Sequence, residues 1–322
     1  MATEHGCEAL GMIHEMVGRT RPSALREGWT HMGQNRNVWP VLKIVSNSSA
    51  PDLRRGLSVA VAAAEAAGRL MRQHDHQPKR INVATRHDIK LELDVRCQTL
   101  IQRRLLAVFP HHGFFGEEGH AGPTDAAWRW VVDPIDGTVN FTYGVPHACV
   151  SIALQRRGDA SSHRRAKSGP AQFETMVGVV YDPFCQELWT AVRGQPARLN
   201  GRRIAVSARP RLSEAMVALG FGKRATALDH LLPAFTQLTP RVRKLRLMGS
   251  AALSLTYVAT GRFDAYVEVG LGLWDFAAGG LIVECAGGEF RSRELPGGDH
   301  AVLASNPHIG RRLRQLVPAP TA

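Results

Sequence analysis

The sequence contains few cysteines and no cysteine motif for a metal. Its five cysteines are scattered along the chain and include no Cys-x-x-Cys pair: Cys7, Cys97, Cys149, Cys185 and Cys285. An odd number of isolated thiols indicates neither a disulfide framework nor a zinc site. Because free thiols are typical of reducing compartments, we expect a cytoplasmic protein.

Long apolar runs are also missing. No window is long and apolar enough to span a bilayer. Near the N-terminus, Glu4, Glu8 and Glu15 interrupt the basic-then-apolar order of a signal peptide. Hydrophobic residues still make up 44% of the 322 residues, which is enough for one large α/β domain or two smaller ones. We therefore expect a globular protein without membrane association.

Acidic residues are outnumbered, with 28 Asp and Glu against 40 Lys and Arg and a net charge of +12. A basic protein attracts anions such as phosphorylated metabolites, nucleic acid or membrane surfaces. No nucleic-acid motif is present, and aromatic residues do not interleave with the basic ones, so nucleic acid is not the expected partner. Binding of RNA or an acidic partner, with catalysis secondary, stays an alternative because loop 156–174 is rich in arginine.

The most informative stretch is Trp130–Phe141. Its apolar, β-branched first half predicts a buried strand. Asp133 and Asp136 follow, separated by Pro134 and Ile135, and we expect them to project into one small space. Neighbouring carboxylates stay ionised when a cation lies between them, and hard oxygen ligands favour Mg²⁺ or Mn²⁺. A β-turn without a metal is the alternative, because Asp-Gly is a common turn pair.

The turn after these carboxylates predicts a place for a phosphate. Gly137 can adopt dihedral angles that other residues avoid. The N–H groups of Gly137 and Thr138 would then be free to bind an anion beside the metal.

Three further acidic residues are candidates for the same site. Glu117 lies in the Gly-bounded loop after a short strand and could be a third metal ligand, although paired glutamates on a loop are often only solvated. Asp94 begins a helix that runs to about Val108, so it is either an N-cap or a functional acid. Asp275 precedes a Gly-rich helix, where it can be a cap, a first-turn acid or a ligand.

The element pattern divides the chain into segments. We expect residues 1–50 to form an N-terminal extension, open to disorder, that takes no part in the chemistry. Residues 51–322 would form one domain that carries the chemistry. Its first half, 51–207, combines helices with an antiparallel meander and ends in an Asn200-Gly201 hairpin and a strand at Ile204–Ser207. Its second half, 208–322, alternates strands and helices and would complete the site.

Four motifs in this order resemble the inositol monophosphatase family of Mg²⁺-dependent phosphomonoesterases. They are Gly-Glu-Glu at 116–118, Asp-Pro-Ile-Asp-Gly-Thr at 133–138, Gly-Ser-Ala-Ala at 249–252 and Trp-Asp at 274–275. The resemblance covers roughly Leu53–Leu316. It implies an α/β fold arranged as a layered α-β-α-β-α sandwich of the sugar-phosphatase type, two or three Mg²⁺ ions, a homodimer and inhibition by Li⁺.

The resemblance also implies roles for individual residues. Glu117, Asp133, Asp136 and Asp275 match the metal-binding carboxylates, and the main-chain carbonyl of Ile135 matches a further ligand. Asp94 and Thr138, helped by Glu117, match the groups that orient and deprotonate the attacking water. The substrate would be held by Asp136, Gly137, Thr138, Ser250, Ala251 and Glu268, of which Gly137 and Thr138 bind the phosphate through their N–H groups.

Departures from the family pattern concern the substrate more than the reaction type. Asp88-Ile89-Lys90-Leu91 replaces the usual Asp-Leu-Val-Thr, and Gly272 replaces a histidine that inositol-preferring members often carry. We expect hydrolysis of a small phosphorylated metabolite by metal-activated water, with inositol 1-phosphate as the leading substrate. Fructose 1,6-bisphosphate, histidinol phosphate and 3′-phosphoadenosine 5′-phosphate are the alternatives.

Overall fold

The computed structural model describes residues 52–84, 89–158, 173–222 and 225–317. The expected extension at residues 1–50 lies outside this part of the chain, as do residues 159–172 of the basic loop. Within the described residues, none of the helices has the length and apolar character needed to cross a membrane.

Between residues 52 and 203, the described residues form three helices and ten strands. They are α1 (Leu53–Gln73), β1 (Ile81–Ala84), β2 (Ile89–Leu91), α2 (Glu92–Val108), β3 (Gly113–Gly116), β4 (Gly119–Ala121), β5 (Trp128–Asp136), α3 (Thr138–Thr142), β6 (Cys149–Arg157), β7 (Phe173–Asp182), β8 (Glu187–Val192), β9 (Arg198–Leu199) and β10 (Arg202–Arg203).

The second part alternates strands and helices after a short 3₁₀ turn at Leu212–Glu214. Its elements are β11 (Met216–Phe221), α4 (Ala225–Leu238), β12 (Lys244–Leu247), α5 (Ala251–Ala259), β13 (Ala265–Leu271), α6 (Leu273–Cys285), β14 (Glu289–Glu294), β15 (His300–Ser305) and α7 (Pro307–Leu316).

Local sequence explains where the outer helices begin. The carboxylate of Asp52 accepts a hydrogen bond from the N–H of Arg54 at 2.9 Å and so caps α1. Asn306 caps α7 in the same way, accepting from His308 at 3.0 Å, and Pro307 occupies the first helical position, where a missing N–H costs nothing.

The strands of the described residues form two large sheets and one short hairpin. The eight-stranded sheet has the order β10-β9-β8-β7-β6-β5-β3-β4, and the five-stranded sheet has the order β12-β11-β13-β15-β14. In the first sheet β3 and β5 are parallel, while β5 to β8 form an antiparallel meander. The short hairpin pairs β1 with β2.

Three apolar cores lie between the layers in the part of the chain that the structure describes. One core lies between the pair α1 and α2 and one face of the eight-stranded sheet. A second core contains α5 and α6, which pack between the two large sheets. The third joins the far face of the five-stranded sheet to α4 and α7. This succession is the α-β-α-β-α sandwich expected from the sequence, and the predicted fold class is confirmed.

One strand prediction was wrong. Residues Ile204–Ser207 do not pair as a strand, although their composition favours one. The N–H of Ile204 bonds to the carbonyl of Ala197, and the N–H of Val206 bonds to the carbonyl of Ala286 at the end of α6. The segment therefore obtains its hydrogen bonds from two different partners and passes between the halves of the chain as a connection. The sequence also gave no signal for β14.

Candidate active site

Asp133 and Asp136 lie at the end of β5, as the sequence predicts. The pairing of β5 with β6 shifts register between these two residues, so the chain departs from a regular strand there. The carboxylate of Asp133 accepts a hydrogen bond from the N–H of Ile135 at 3.0 Å. This bond tightens the Asp-Pro-Ile-Asp turn and fixes one oxygen of Asp133.

Asp275 reaches the same place from the other half of the chain. It lies in the first turn of α6, where its Oδ2 accepts a hydrogen bond from the N–H of Gly272 at 2.7 Å. Asp133, Asp136 and Asp275 each offer one carboxylate oxygen, and these three oxygens lie within 4.8 Å of one another. A strand end and a helix start that are distant in sequence therefore contribute to one acidic cluster.

Asp136 is buried and links the cluster to the start of α5. Its Oδ2 accepts hydrogen bonds from the hydroxyl of Ser250 at 2.5 Å and from the N–H of Ala252 at 2.8 Å, and its Oδ1 accepts from the N–H of Ala251 at 3.3 Å. Burial raises the pKa of the Asp136 carboxyl, while these three hydrogen bonds oppose the rise. A cation beside the cluster would favour the ionised form further.

Glu117 lines the same cavity but is not part of the close three-carboxylate cluster. Its N–H bonds to the carbonyl of Val132 at 3.2 Å, which continues the parallel pairing of β3 with β5 past the end of β3. The structure thus brings the four predicted metal-binding carboxylates to one cavity, with three of them in mutual ligand range.

Asp94 does not line the cavity. It lies in the first turn of α2 rather than at the N-cap, and its Oδ2 accepts a hydrogen bond from the N–H of Leu91 at 2.7 Å. Its Oδ1 is buried with no hydrogen-bond partner. Burial, with the charge of Glu117 as a smaller cause, raises the pKa of Asp94 to about 8. An unsatisfied buried oxygen of this kind is typical of a site that receives a water or a ligand.

Gly137 and Thr138 form the turn that the sequence assigns to phosphate. Gly137 has a φ of +92°, and a Cβ built on it would lie 2.8 Å from the carbonyl oxygen of His147. The hydroxyl of Thr138 donates to the carbonyl of Ile135 at 2.8 Å. That bond uses one acceptor position of the Ile135 carbonyl, and a second lone pair stays available to a metal.

The cavity around these groups has a volume of about 400 Å³. Its lining includes every predicted site residue except Asp94: Glu117, Asp133, Ile135, Asp136, Gly137, Thr138, Ser250, Ala251, Glu268 and Asp275. The size suits a small metabolite, since ligand pockets are commonly about 300–1,000 Å³.

Glu268 lies on β13 beside two residues that the sequence analysis did not identify. The buried Tyr266, two positions earlier on the same face of the strand, donates its hydroxyl hydrogen bond to Glu268 Oε2. Gly220 on the paired strand leaves the space that the Glu268 carboxylate fills. Burial raises the pKa of Glu268 to about 7, and the Tyr266 hydrogen bond opposes the rise. The period-two spacing of Tyr266 and Glu268 was the available sequence signal.

Gly272 occupies the position where the resemblance implies a histidine in inositol-preferring family members. The Trp274 ring packs closely over this glycine. A Cβ at this position would lie 2.6 Å from Cε2 of the Trp274 ring. The indole therefore occupies the space that a side chain at position 272 would need.

The donor set fits a hard divalent cation. All side-chain donors of the cluster are carboxylate oxygens, which Mg²⁺ prefers, and the adjacent backbone N–H groups suit a phosphate. The fold and the site together define a divalent-cation-dependent phosphomonoesterase class. The model of the inositol monophosphatase family matches residues 52–317, and the chain belongs to this family, which is in general Mg²⁺-dependent.

Individual relatives agree with the family match. The chain is 36% identical over 280 residues to an inositol-1-monophosphatase from Rhizobium meliloti, covering 82% of this chain and 96% of that protein. It is 34% identical over 273 residues to a protein named Nus factor SuhB from Xylella fastidiosa, covering 81% and 94%. The crystal structure of the extragenic suppressor protein suhB from Bartonella henselae aligns with a TM-score of 0.73 at 33% identity. The alignment covers 83% of this chain and 100% of that chain.

Proposed function

We propose that this protein hydrolyses a small phosphate monoester with the help of Mg²⁺, and that inositol 1-phosphate is its leading substrate. The observation that carries the proposal is the convergence of Asp133, Asp136 and Asp275 within 4.8 Å beside the turn at Gly137. Family membership supports phosphomonoesterase activity, and the Glu268 carboxylate supports a polyol as the alcohol part.

Asp133, Asp136 and Asp275 would hold the cation, with Glu117 and the carbonyl of Ile135 as further ligands. When bound, the cation supplies charge neutralisation at phosphate and makes water nucleophilic at neutral pH. Two or three ions and a homodimer are part of this proposal. The cluster itself supports at least one ion, because three acidic groups this close need a positive charge between them.

The chain's own residues would orient water and substrate. Thr138 donates its hydroxyl hydrogen to Ile135, so its oxygen lone pairs are available to accept a hydrogen bond from water. Asp94 has a buried, unpartnered Oδ1 that would accept a hydrogen bond from the attacking water. The N–H groups at Gly137 and Thr138 would bind phosphate oxygens. Glu268 Oε1 would accept hydrogen bonds from the alcohol's hydroxyls.

A phosphate-release panel with Mg²⁺ tests the proposal. It compares inositol 1-phosphate with fructose 1,6-bisphosphate, histidinol phosphate, 3′-phosphoadenosine 5′-phosphate and the aryl ester p-nitrophenyl phosphate. We expect release from inositol 1-phosphate with the largest kcat/KM and none after chelation. Absence of turnover of every ester by Mg²⁺-saturated protein would refute the enzyme assignment.

A second candidate function is binding of RNA through the edge strand β12. Arg241, Arg243, Lys244 and Arg246 are exposed there, and none forms an ion pair with a carboxylate among the residues that the structure describes. Unpaired cations along a strand attract a polyanion, although charged edges also simply prevent sheet-to-sheet association. One relative is named a Nus factor rather than a phosphatase, which supports a role other than hydrolysis.

RNA retention at low and high salt tests the second candidate. If β12 binds RNA, the triple variant R241Q/R243Q/K244Q should lose RNA binding. Its phosphate release should be unchanged, because these side chains lie outside the cavity. Retention of RNA by this triple variant at the wild-type level would contradict it.

A further inference from the structure

An ion pair joins the short strand that precedes the helix of Asp94 to the loop that carries Glu117. Nζ of Lys90 lies 2.8 Å from Oε1 of Glu118, and the Glu118 side chain is only 11% exposed against 35% for Lys90. Lys90 belongs to β2, which leads directly into α2, and Glu118 follows Glu117 in the loop after β3. The pair is therefore far more enclosed than an ordinary surface ion pair.

The same loop is also attached to α2 by Gln98. Oε1 of Gln98 accepts a hydrogen bond from the N–H of Glu118 at 2.9 Å, and its Nε2 donates to the carbonyl of Gly119 at 3.2 Å. Gly116 lies so close to the Gln98 amide that a Cβ there would collide with it. The loop is thus held to α2 through its backbone and to β2 through the Glu118 side chain.

We propose that Lys90 is a positioning residue for the water-activating pair. By binding Glu118, it would fix the loop that carries Glu117 at a set distance from the first turn of α2, which carries Asp94. This proposal rests on the function proposed above. It assigns a role to the Lys90 departure from the usual Asp-Leu-Val-Thr motif, where that position is valine.

An electrostatic role and a positioning role of Lys90 predict opposite effects on metal affinity when this lysine is replaced. An ammonium group near a divalent-cation site repels the cation, so a purely electrostatic role predicts that Lys90→Met binds the metal more tightly. A positioning role predicts weaker binding, because Glu118 loses its partner and the Glu117 loop loses its side-chain attachment to β2. Groups that orient metal ligands typically affect metal affinity about 10–100-fold.

The test is Mn²⁺ binding by the full chain, followed through the EPR signal of the free ion, together with kcat and KM for p-nitrophenyl phosphate. We expect Lys90→Met and Glu118→Gln each to weaken Mn²⁺ binding about 10-fold, and their double variant to be no worse than either one. Lys90→Arg should restore most of the affinity. Substrate KM at saturating metal should stay unchanged.

Arg80→Gln is the matched control. Arg80 pairs with Glu92 at the start of the same helix, at 3.6 Å and with side chains 86% and 45% exposed. The substitution removes the same charge from the same region, and we expect Mn²⁺ affinity to be unchanged.

Each outcome has a definite meaning. If wild type binds Mn²⁺ and hydrolyses esters while Lys90→Met binds Mn²⁺ as well or better, the positioning role is refuted and the phosphatase function stands. Additive losses in the double variant would also refute it, because the two side chains would then act separately. If wild type binds no Mn²⁺, the proposed function fails, and the role of Lys90 fails with it.

Discussion

The carboxylate of Asp136, at the end of β5, accepts a hydrogen bond from the N–H of Ala252 at 2.8 Å in the first turn of α5. One acidic residue of the first half therefore binds the N-terminus of a helix of the second half while it also belongs to the acidic cluster. A carboxylate at a helix N-terminus is stabilised by the unpaired N–H groups there. Assembly of the site and packing of the two halves consequently depend on the same bonds.

Asp133→Asn tests the cluster without opening the core. The amide keeps the size of the side chain and can still accept the hydrogen bond from Ile135, but it removes a ligand charge. We expect phosphate release to fall at least about 100-fold, since metal charge stabilisation contributes several kcal/mol. Circular dichroism and the melting temperature should stay close to wild type. Full activity in this variant would refute the assignment.

Gly137→Ala tests the phosphate turn. Position 137 has a φ of +92°, and a Cβ added there would lie 2.8 Å from the carbonyl oxygen of His147. Alanine would therefore cause both backbone strain and a collision. Gly144→Ala is the control, because its φ of +72° imposes similar strain while nothing lies within 4 Å of its Cβ. Urea unfolding should show a loss of about 1–2 kcal/mol for the control and a larger loss for Gly137→Ala, which should also be inactive. Equal losses of unfolding free energy in the two variants would show that the close approach of position 137 to the His147 carbonyl has no effect on stability.

Tyr266→Phe tests how the alcohol is selected. Without the tyrosine hydroxyl, the Glu268 carboxylate loses the hydrogen bond that fixes its orientation. We expect KM for inositol 1-phosphate to rise about 5- to 10-fold, in line with about 1–1.5 kcal/mol for one hydrogen bond. Hydrolysis of p-nitrophenyl phosphate, which has no polyol hydroxyls, should be unchanged. A parallel loss on both esters would instead indicate general damage to the fold.

Glu268 also predicts a pH dependence of stability in the metal-free protein. Its folded-state pKa of about 7 lies above the ordinary value of 4.5, so the folded state binds the proton more tightly than the unfolded state. Stability should therefore fall as pH rises from about 4.5 through about 7. Urea unfolding in chelator should show that Glu268→Gln loses less stability than wild type between pH 5 and pH 8. Parallel pH profiles for the two proteins would contradict this assignment.

The sequence predicts local features well and distant contacts less well. The spacing of Asp133 and Asp136 alone predicts that their side chains share one space, because a strand followed by a turn determines where both side chains lie. The approach of Asp275 came only from the family resemblance, since no local pattern links it to β5. Lys90 was recognised as a departure, but its partner Glu118 depends on how the loop after β3 folds back towards β2. The strand predicted at Ile204–Ser207 was wrong for the same reason, because the hydrogen-bond partners of this segment are remote in sequence.

The central claim is that Asp133, Asp136 and Asp275 bind one divalent cation in one cavity. Crystals soaked in Mn²⁺ and measured for anomalous scattering test this claim without relying on any substrate. We predict an anomalous peak in coordination range, about 2.0–2.3 Å, of one oxygen from each of the three carboxylates. A cavity with no peak at saturating Mn²⁺, or a peak that contacts none of the three residues, would contradict it.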